Sequence, residues 1–101
     1  MNFTHNFKTT LPNVAMTTAY GIDSDRATNV EMETTIGLDS DGGWYETYDI
    51  DTGGERFYAE GALETETDEN GSVRLTGYDG CFELPEHITE ALKQKGVIID
   101  L

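Results

Sequence analysis

Between Val30 and Tyr78, apolar and polar side chains alternate with a period of two, and clusters of Asp, Ser, Asn and Gly break the alternation at short intervals. Strands have that period, because successive side chains leave opposite faces of a pleated backbone. The clearest segment puts Val30, Met32, Ile36 and Leu38 on one face and Glu31, Glu33 and Thr35 on the other. Asp39-Ser40-Asp41-Gly42-Gly43 then supplies a tight turn. In the next segment Trp44, Tyr48 and Ile50 share the more apolar face, and Tyr45 and Thr47 point the other way. After Asp51-Thr52-Gly53-Gly54, Phe57, Ala59, Gly61 and Leu63 give an inner face, with Tyr58, Glu60 and Glu64 outside. Glu69-Asn70-Gly71 turns the chain into a strand marked by Val73 and Leu75 that ends near Tyr78.

Upstream, Val14, Met16, Thr18 and Tyr20 alternate with Ala15, Thr17 and Ala19, predicting a first strand after Pro12-Asn13. Residues 1–12 are expected to be irregular, and Asp23, Ser24 and Asp25 to form a turn. Past residue 84 the period changes. Pro85 opens a helix, Glu86 suits the positive end of its dipole, and Ile88, Ala91 and Leu92 form an apolar stripe. Lys93 and Lys95 close it and Gly96 caps it, before a short final strand at Val97-Ile98-Ile99. The expected fold is α+β: one domain over 1–101, an antiparallel β-meander of about five strands, one C-terminal helix on one face and a short last strand.

The meander carries nearly all the negative charge. From Ala27 to Glu90 there are 17 Asp and Glu against Arg56 and Arg74, and the whole chain has a formal net charge of -14. High charge with 37% hydrophobic residues borders on the composition of disorder, but regular alternation studded with aromatics excludes it for most of the chain. Such a surface repels nucleic acid and anionic membranes. The N-terminus lacks a basic segment leading into an apolar run, and a cytoplasmic location, in the host cell, is expected. The single cysteine, Cys81, allows no intramolecular disulfide and is expected as a reduced thiol in or near the core.

Chemical motifs are weak. Asp49, Asp51, Gly53, Gly54, Glu55 and Glu60 satisfy much of a twelve-residue calcium loop, yet Arg56 stands where an apolar residue belongs and the flanks alternate as strands. A hairpin with solvated acids accounts for the same residues. Cys81, His87 and His5 do not make a four-ligand zinc set, and His87 is expected as an exposed first-turn residue. Cys81 and His87 lack an orienting group or oxyanion donors for catalysis, and the glycine pairs lack the lysine of a phosphate loop. No catalytic residue, metal site or cofactor is predicted.

Tyr78-Asp79-Gly80-Cys81-Phe82-Glu83-Leu84-Pro85, running into His87-Ile88-Thr89-Glu90-Ala91-Leu92, resembles the C-terminal third of small bacteriophage and prophage proteins. Some small acidic proteins of that kind, among them anti-CRISPR and anti-restriction proteins, inhibit host systems that target nucleic acid. The resemblance implies a non-enzymatic inhibitor of a basic host protein or ribonucleoprotein complex. The acid pattern adds a means. Carboxylates about 4.8 Å apart across strands and about 6.8 Å apart along them form an array comparable to duplex phosphates. The expected partner-binding residues are Glu31, Glu33, Asp39, Asp41, Tyr45, Asp49, Asp51, Tyr58, Glu60, Glu64 and Glu66. Tyr45, Tyr58 and Tyr78 are assigned to the wetter faces, where tyrosine adds apolar area and a polar tip. Solubility, adaptation to high salt, or an acidic interface without mimicry would use the same acids. The alternative function is a phage structural or regulatory accessory protein that self-associates through a sheet edge, as a homodimer for example.

Overall fold

The computed structural model describes residues 2–17, 23–55, 57–80 and 83–101; of residues 13–17 and 23–28 only the backbone is described. Six strands form one sheet in chain order: β1 (Phe3–Thr17), β2 (Asp23–Asp39), β3 (Gly42–Asp49), β4 (Tyr58–Thr67), β5 (Val73–Gly80) and β6 (Ile98–Ile99), with α1 (Glu86–Gln94) between the last two. Each of the first four pairings is antiparallel, and β6 returns parallel to β5. The expected meander, helix and short last strand are present.

Two boundaries differ from expectation. Residues 3–12 are not irregular: they form most of β1, paired without interruption from Phe3↔Leu38 to Leu11↔Val30. Phe3, His5, Phe7, Thr9 and Leu11 are its half-buried positions and alternate with exposed Thr4, Asn6, Lys8 and Thr10. Pro12 falls at a break in register between Leu11 and Val14, where a missing backbone donor does least harm. At the other end of the hairpin, β2 already begins at Asp23, inside the stretch predicted to turn. Beyond Met32↔Asp49, β2 pairs along its length with β1, and this two-stranded ribbon helps make the molecule 49 Å long. Tyr20, Arg56, Cys81 and Phe82 lie outside the described residues.

The core lies between the sheet and α1. Ile36, Leu38, Tyr45, Ala59, Leu63, Val73 and Leu75 from the strands meet Ile88, Ala91, Leu92 and Val97. Burying a Leu- or Ile-sized side chain contributes about 1.5–3 kcal/mol, so this cluster holds α1 to one face. Glu86 occupies the first helical turn, and Pro85 sits just before it with extended backbone. At the other end Gly96 takes φ 91°, its N–H donating to Lys93 O and that of Val97 to Leu92 O. A Cβ is strained in that left-handed conformation, which explains the glycine.

The faces of β3 are the reverse of those predicted. Tyr45, Thr47 and Asp49 point into the core, while Trp44, Glu46 and Tyr48 face outward. The turn decides this. Asp39 pairs with Gly42, leaving only Ser40 and Asp41 between, and that register puts Tyr45 opposite Ile36 and Thr47 opposite Thr34. Asp41 N–H donates to Asp39 Oδ1 at 2.8 Å and Gly42 adopts φ 139°, fixing the tight connection. The Tyr45 side chain then occupies the space above the paired Gly61 and Gly80, where a Cβ would lie 2.7 Å from its ring at Gly61 and 2.7 Å from its hydroxyl at Gly80.

Candidate functional site: the outer sheet face

On the side of the sheet away from α1, the register lines up three rows. Thr4, Gly37, Trp44, Ala62 and Asp79 make one row; Asn6, Thr35, Glu46 and Glu60 the next; Lys8, Glu33, Tyr48 and Tyr58 the third. Trp44 is 48% exposed, and its indole lies across Gly37, where a Cβ would come within 2.5 Å of Nε1. A large apolar ring is thus held on the wet face by a glycine that leaves room beneath it. Glu46 and Glu60 are directly opposed on neighbouring strands, a destabilising arrangement for two like charges.

The Tyr58 hydroxyl answers part of that repulsion. It lies 2.9 Å from Glu60 Oε2 and 3.1 Å from Glu46 Oε2, so a single phenolic proton is placed between two carboxylates. The hydrogen bond to Glu60, then desolvation and the bond to Glu46, push the phenol up to about 12. Tyr48 is raised in the same way, first by its hydrogen bond to Glu33. Asn6 Nδ2 donates to Thr35 Oγ1 at 2.8 Å and reaches Glu33 Oε1 at 3.5 Å. Beside this network Trp44, Glu46, Glu60, Ala62 and Asp79 border a shallow depression of about 560 Å³, with Gly61 and Gly80 on its lining. An aromatic face and three carboxylates around one hollow suit a guanidinium or ammonium group.

Of the predicted contact residues, the structure gathers Tyr58 and Glu60 into this site, with Glu33 and Glu31 in successive rows beside it. Glu64 and Glu66 are exposed further along β4, opposite Gly77 and Arg74 of β5. Asp39 and Asp41 lie at the β2–β3 turn, and exposed Asp51 lies in the β3–β4 connection at the opposite end of β3. Two predicted contacts are corrected. Tyr45 is 2% exposed and fills the core above the glycine pair. Asp49 is 1% exposed: Oδ2 accepts from Thr52 N–H at 3.0 Å and Thr52 Oγ1 at 2.5 Å, and Oδ1 from Phe57 N–H at 3.0 Å. Both oxygens of Asp49 are therefore turned to the loop that they close. Tyr78 pairs with buried Leu63, on the core side of the sheet and not the face predicted, yet it stays exposed as expected. Trp44 and Glu46 were missed, although counting the register across Ser40-Asp41 finds both.

The opposite face holds a second polar feature. Thr34 Oγ1 and Thr47 Oγ1 are 2.8 Å apart in the core, and Thr47 Oγ1 is 3.2 Å from His87 Nε2. His87 is half-buried, not exposed as predicted, and desolvation lowers its pKa. This hydroxyl–imidazole contact resembles a nucleophile and its base, but Thr47 is fully buried and no substrate can reach it. Among the described residues there is no group of three or more His, Cys, Asp or Glu placed to hold a metal ion. Nor is any helix there long and apolar enough to cross a membrane. No protein-family model, curated protein or solved structure matches the chain.

Proposed function

We propose that the protein is a non-enzymatic binding protein whose outer sheet face engages a basic protein surface, with one arginine or lysine seated beside Trp44 between Glu46, Glu60 and Asp79. The observation that supports this most is the Glu46–Glu60 pair. Two carboxylates directly opposite each other weaken the free protein, and the Tyr58 proton only partly relieves them. A cation from a partner relieves them fully, so the strain in the free state favours the complex. Arginine fits best, because its planar fork meets carboxylates in pairs and stacks on an indole.

The finer reading is a phage-derived inhibitor acting in the host cytoplasm, occupying the Lys/Arg groove of a defence complex that handles nucleic acid. The C-terminal resemblance and the rows of outer-face acids support it; the basic partner binds protein in place of phosphate. The test is affinity capture from the natural host with the wild type and with Glu46→Gln/Glu60→Gln, Trp44→Ala and Glu31→Lys/Glu33→Lys. A specific nucleic-acid-binding protein should be retained, be released by duplex DNA, and be lost from the first two variants. Equal capture by wild type and Glu46→Gln/Glu60→Gln sinks the cleft. Retention by Glu31→Lys/Glu33→Lys leaves an acidic interface but removes the case for mimicry.

A further inference from the structure

The chain's 20 acidic residues avoid one region entirely: none falls within the first 22 positions. Those positions include all of β1, which among the described residues pairs only with β2 and so forms one edge of the sheet. From Phe3 to Leu11 its pairing with β2 has no break, which leaves about 30 Å of regular backbone edge on the other side. Sheet proteins normally blunt such an edge with inward-pointing charge, proline or a bulge. Here the unbroken stretch carries Lys8 as its one Lys or Arg, and the irregularity at Pro12 comes only after Leu11. The opposite edge, β6, is two residues long.

Beside this edge the core is incompletely closed. His5, Phe7, Thr9 and Leu11 of β1 face Glu86, Glu90 and Gln94 of α1 across an open groove of about 470 Å³. A strand added to β1 would carry its own inward side chains along that opening. With carboxylates on the helical wall, the arriving strand must be free of acids. The first strand of this same protein meets that condition, and His5 gives it an inward imidazole.

We propose that two copies of the chain pair antiparallel through β1, making one continuous sheet across a two-fold axis. Net charges of -14 oppose this, but the geometry limits the opposition. The nearest outer-face acids, such as Glu33 of each copy, are separated by three strand spacings, about 14 Å. That exceeds the Debye length of about 8 Å at 0.15 M salt and falls well within the roughly 30 Å at 0.01 M. The dimer is therefore strengthened by salt, the opposite of binding to a basic partner. It is also independent of the outer-face reading, since Trp44, Glu46 and Glu60 lie two and three strands away from the edge.

Sedimentation equilibrium of the full chain tests this, at salt from about 0.01 M to 0.15 M. The expected result is a dimer whose Kd falls at least about tenfold over that range. Thr4→Glu/Thr10→Glu adds acids at two exposed edge positions without touching the core, and should raise Kd at least about tenfold; the monomer stays folded but melts somewhat lower, because Thr10 stands opposite Glu31. Glu55→Gln/Glu69→Gln, in the connections on either side of β4, should leave the dimer intact. A chain that stays monomeric at about 100 µM in 0.15 M salt overturns the proposal and leaves the edge to an extended segment of another protein. So does a dimer indifferent to Thr4→Glu/Thr10→Glu.

Discussion

Tyr58 is the residue on which the outer face turns. Its phenol is neutral in the folded protein up to about 12, against about 10 in an unfolded chain. A raised pKa means its contribution to stability is complete below about pH 10 and is lost as pH rises toward 12. An ultraviolet titration should therefore contain a tyrosine step at about 12, and Glu60→Gln should bring that step down toward the ordinary value. An unchanged step would remove Glu60 as its cause. Glycines give a second test at this scale. At Gly61 an added Cβ meets the Asp79 carbonyl at 2.6 Å and the buried Tyr45 ring at 2.7 Å, neither free to move. At Gly37 it meets only the exposed Trp44 indole, which can swing away. Gly61→Ala should thus cost about 1–3 kcal/mol and Gly37→Ala less, measured by denaturant unfolding. Asp49→Ala should lower the melting temperature equally with and without calcium, because both oxygens serve the loop. Sequence pattern alone presents Asp49 as a solvated acid and gives no sign of these three bonds, which join residues up to eight positions apart.

At the scale of elements, β2 from Val30 onward, β4, β5 and α1 were legible because their apolar residues repeat cleanly at strand or helix period. β3 was legible as a strand but not as to its faces. Its largest apolar side chain, Trp44, is outside, and two of its inward positions, Thr47 and Asp49, are polar. Burial of those groups is permitted by partners on other elements, Thr34 and His87 for Thr47 and the β3–β4 loop for Asp49. The first half of β1 was missed for the same reason, since His5 and Thr9 interrupt the inward series Phe3, Phe7 and Leu11. Thr47→Val tests the buried bridge: it leaves Thr34 and His87 without their shared partner and should cost about 1–3 kcal/mol. His87 adds a pH signature. Its folded pKa is below the usual 6.5, so its contribution to stability is full above that value and lost as pH falls through the folded pKa. His5, Glu86 and Glu90 line the same groove, so the melting temperature is best followed in parallel for the wild type and His87→Gln. The variant should lose part of the decline that sets in below pH 6.5; an identical decline would assign it elsewhere.

For the whole molecule, the negative charge is patterned: absent from one sheet edge, directly opposed on the outer face, and buried at Asp49, where loop hydrogen bonds hold it. A net charge of -14 destabilises the folded monomer by self-repulsion, so added salt should raise its melting temperature. In a domain of this size each 1 kcal/mol gained appears as roughly 4–8 °C. The outer face makes a sharper prediction possible. Glu46→Gln/Glu60→Gln keeps an acceptor for Tyr58 on both strands but removes the charges that oppose each other. At low salt that variant should melt higher than the wild type, and the advantage should shrink as salt screens the pair. The same two changes should weaken a basic partner, giving a variant more stable alone and poorer at binding. Acids kept only for solubility have no reason to stand opposite one another beside an exposed tryptophan. A double variant that is no more stable than the wild type would show that Tyr58 already neutralises the repulsion, and the free-state strain invoked for partner binding would be gone.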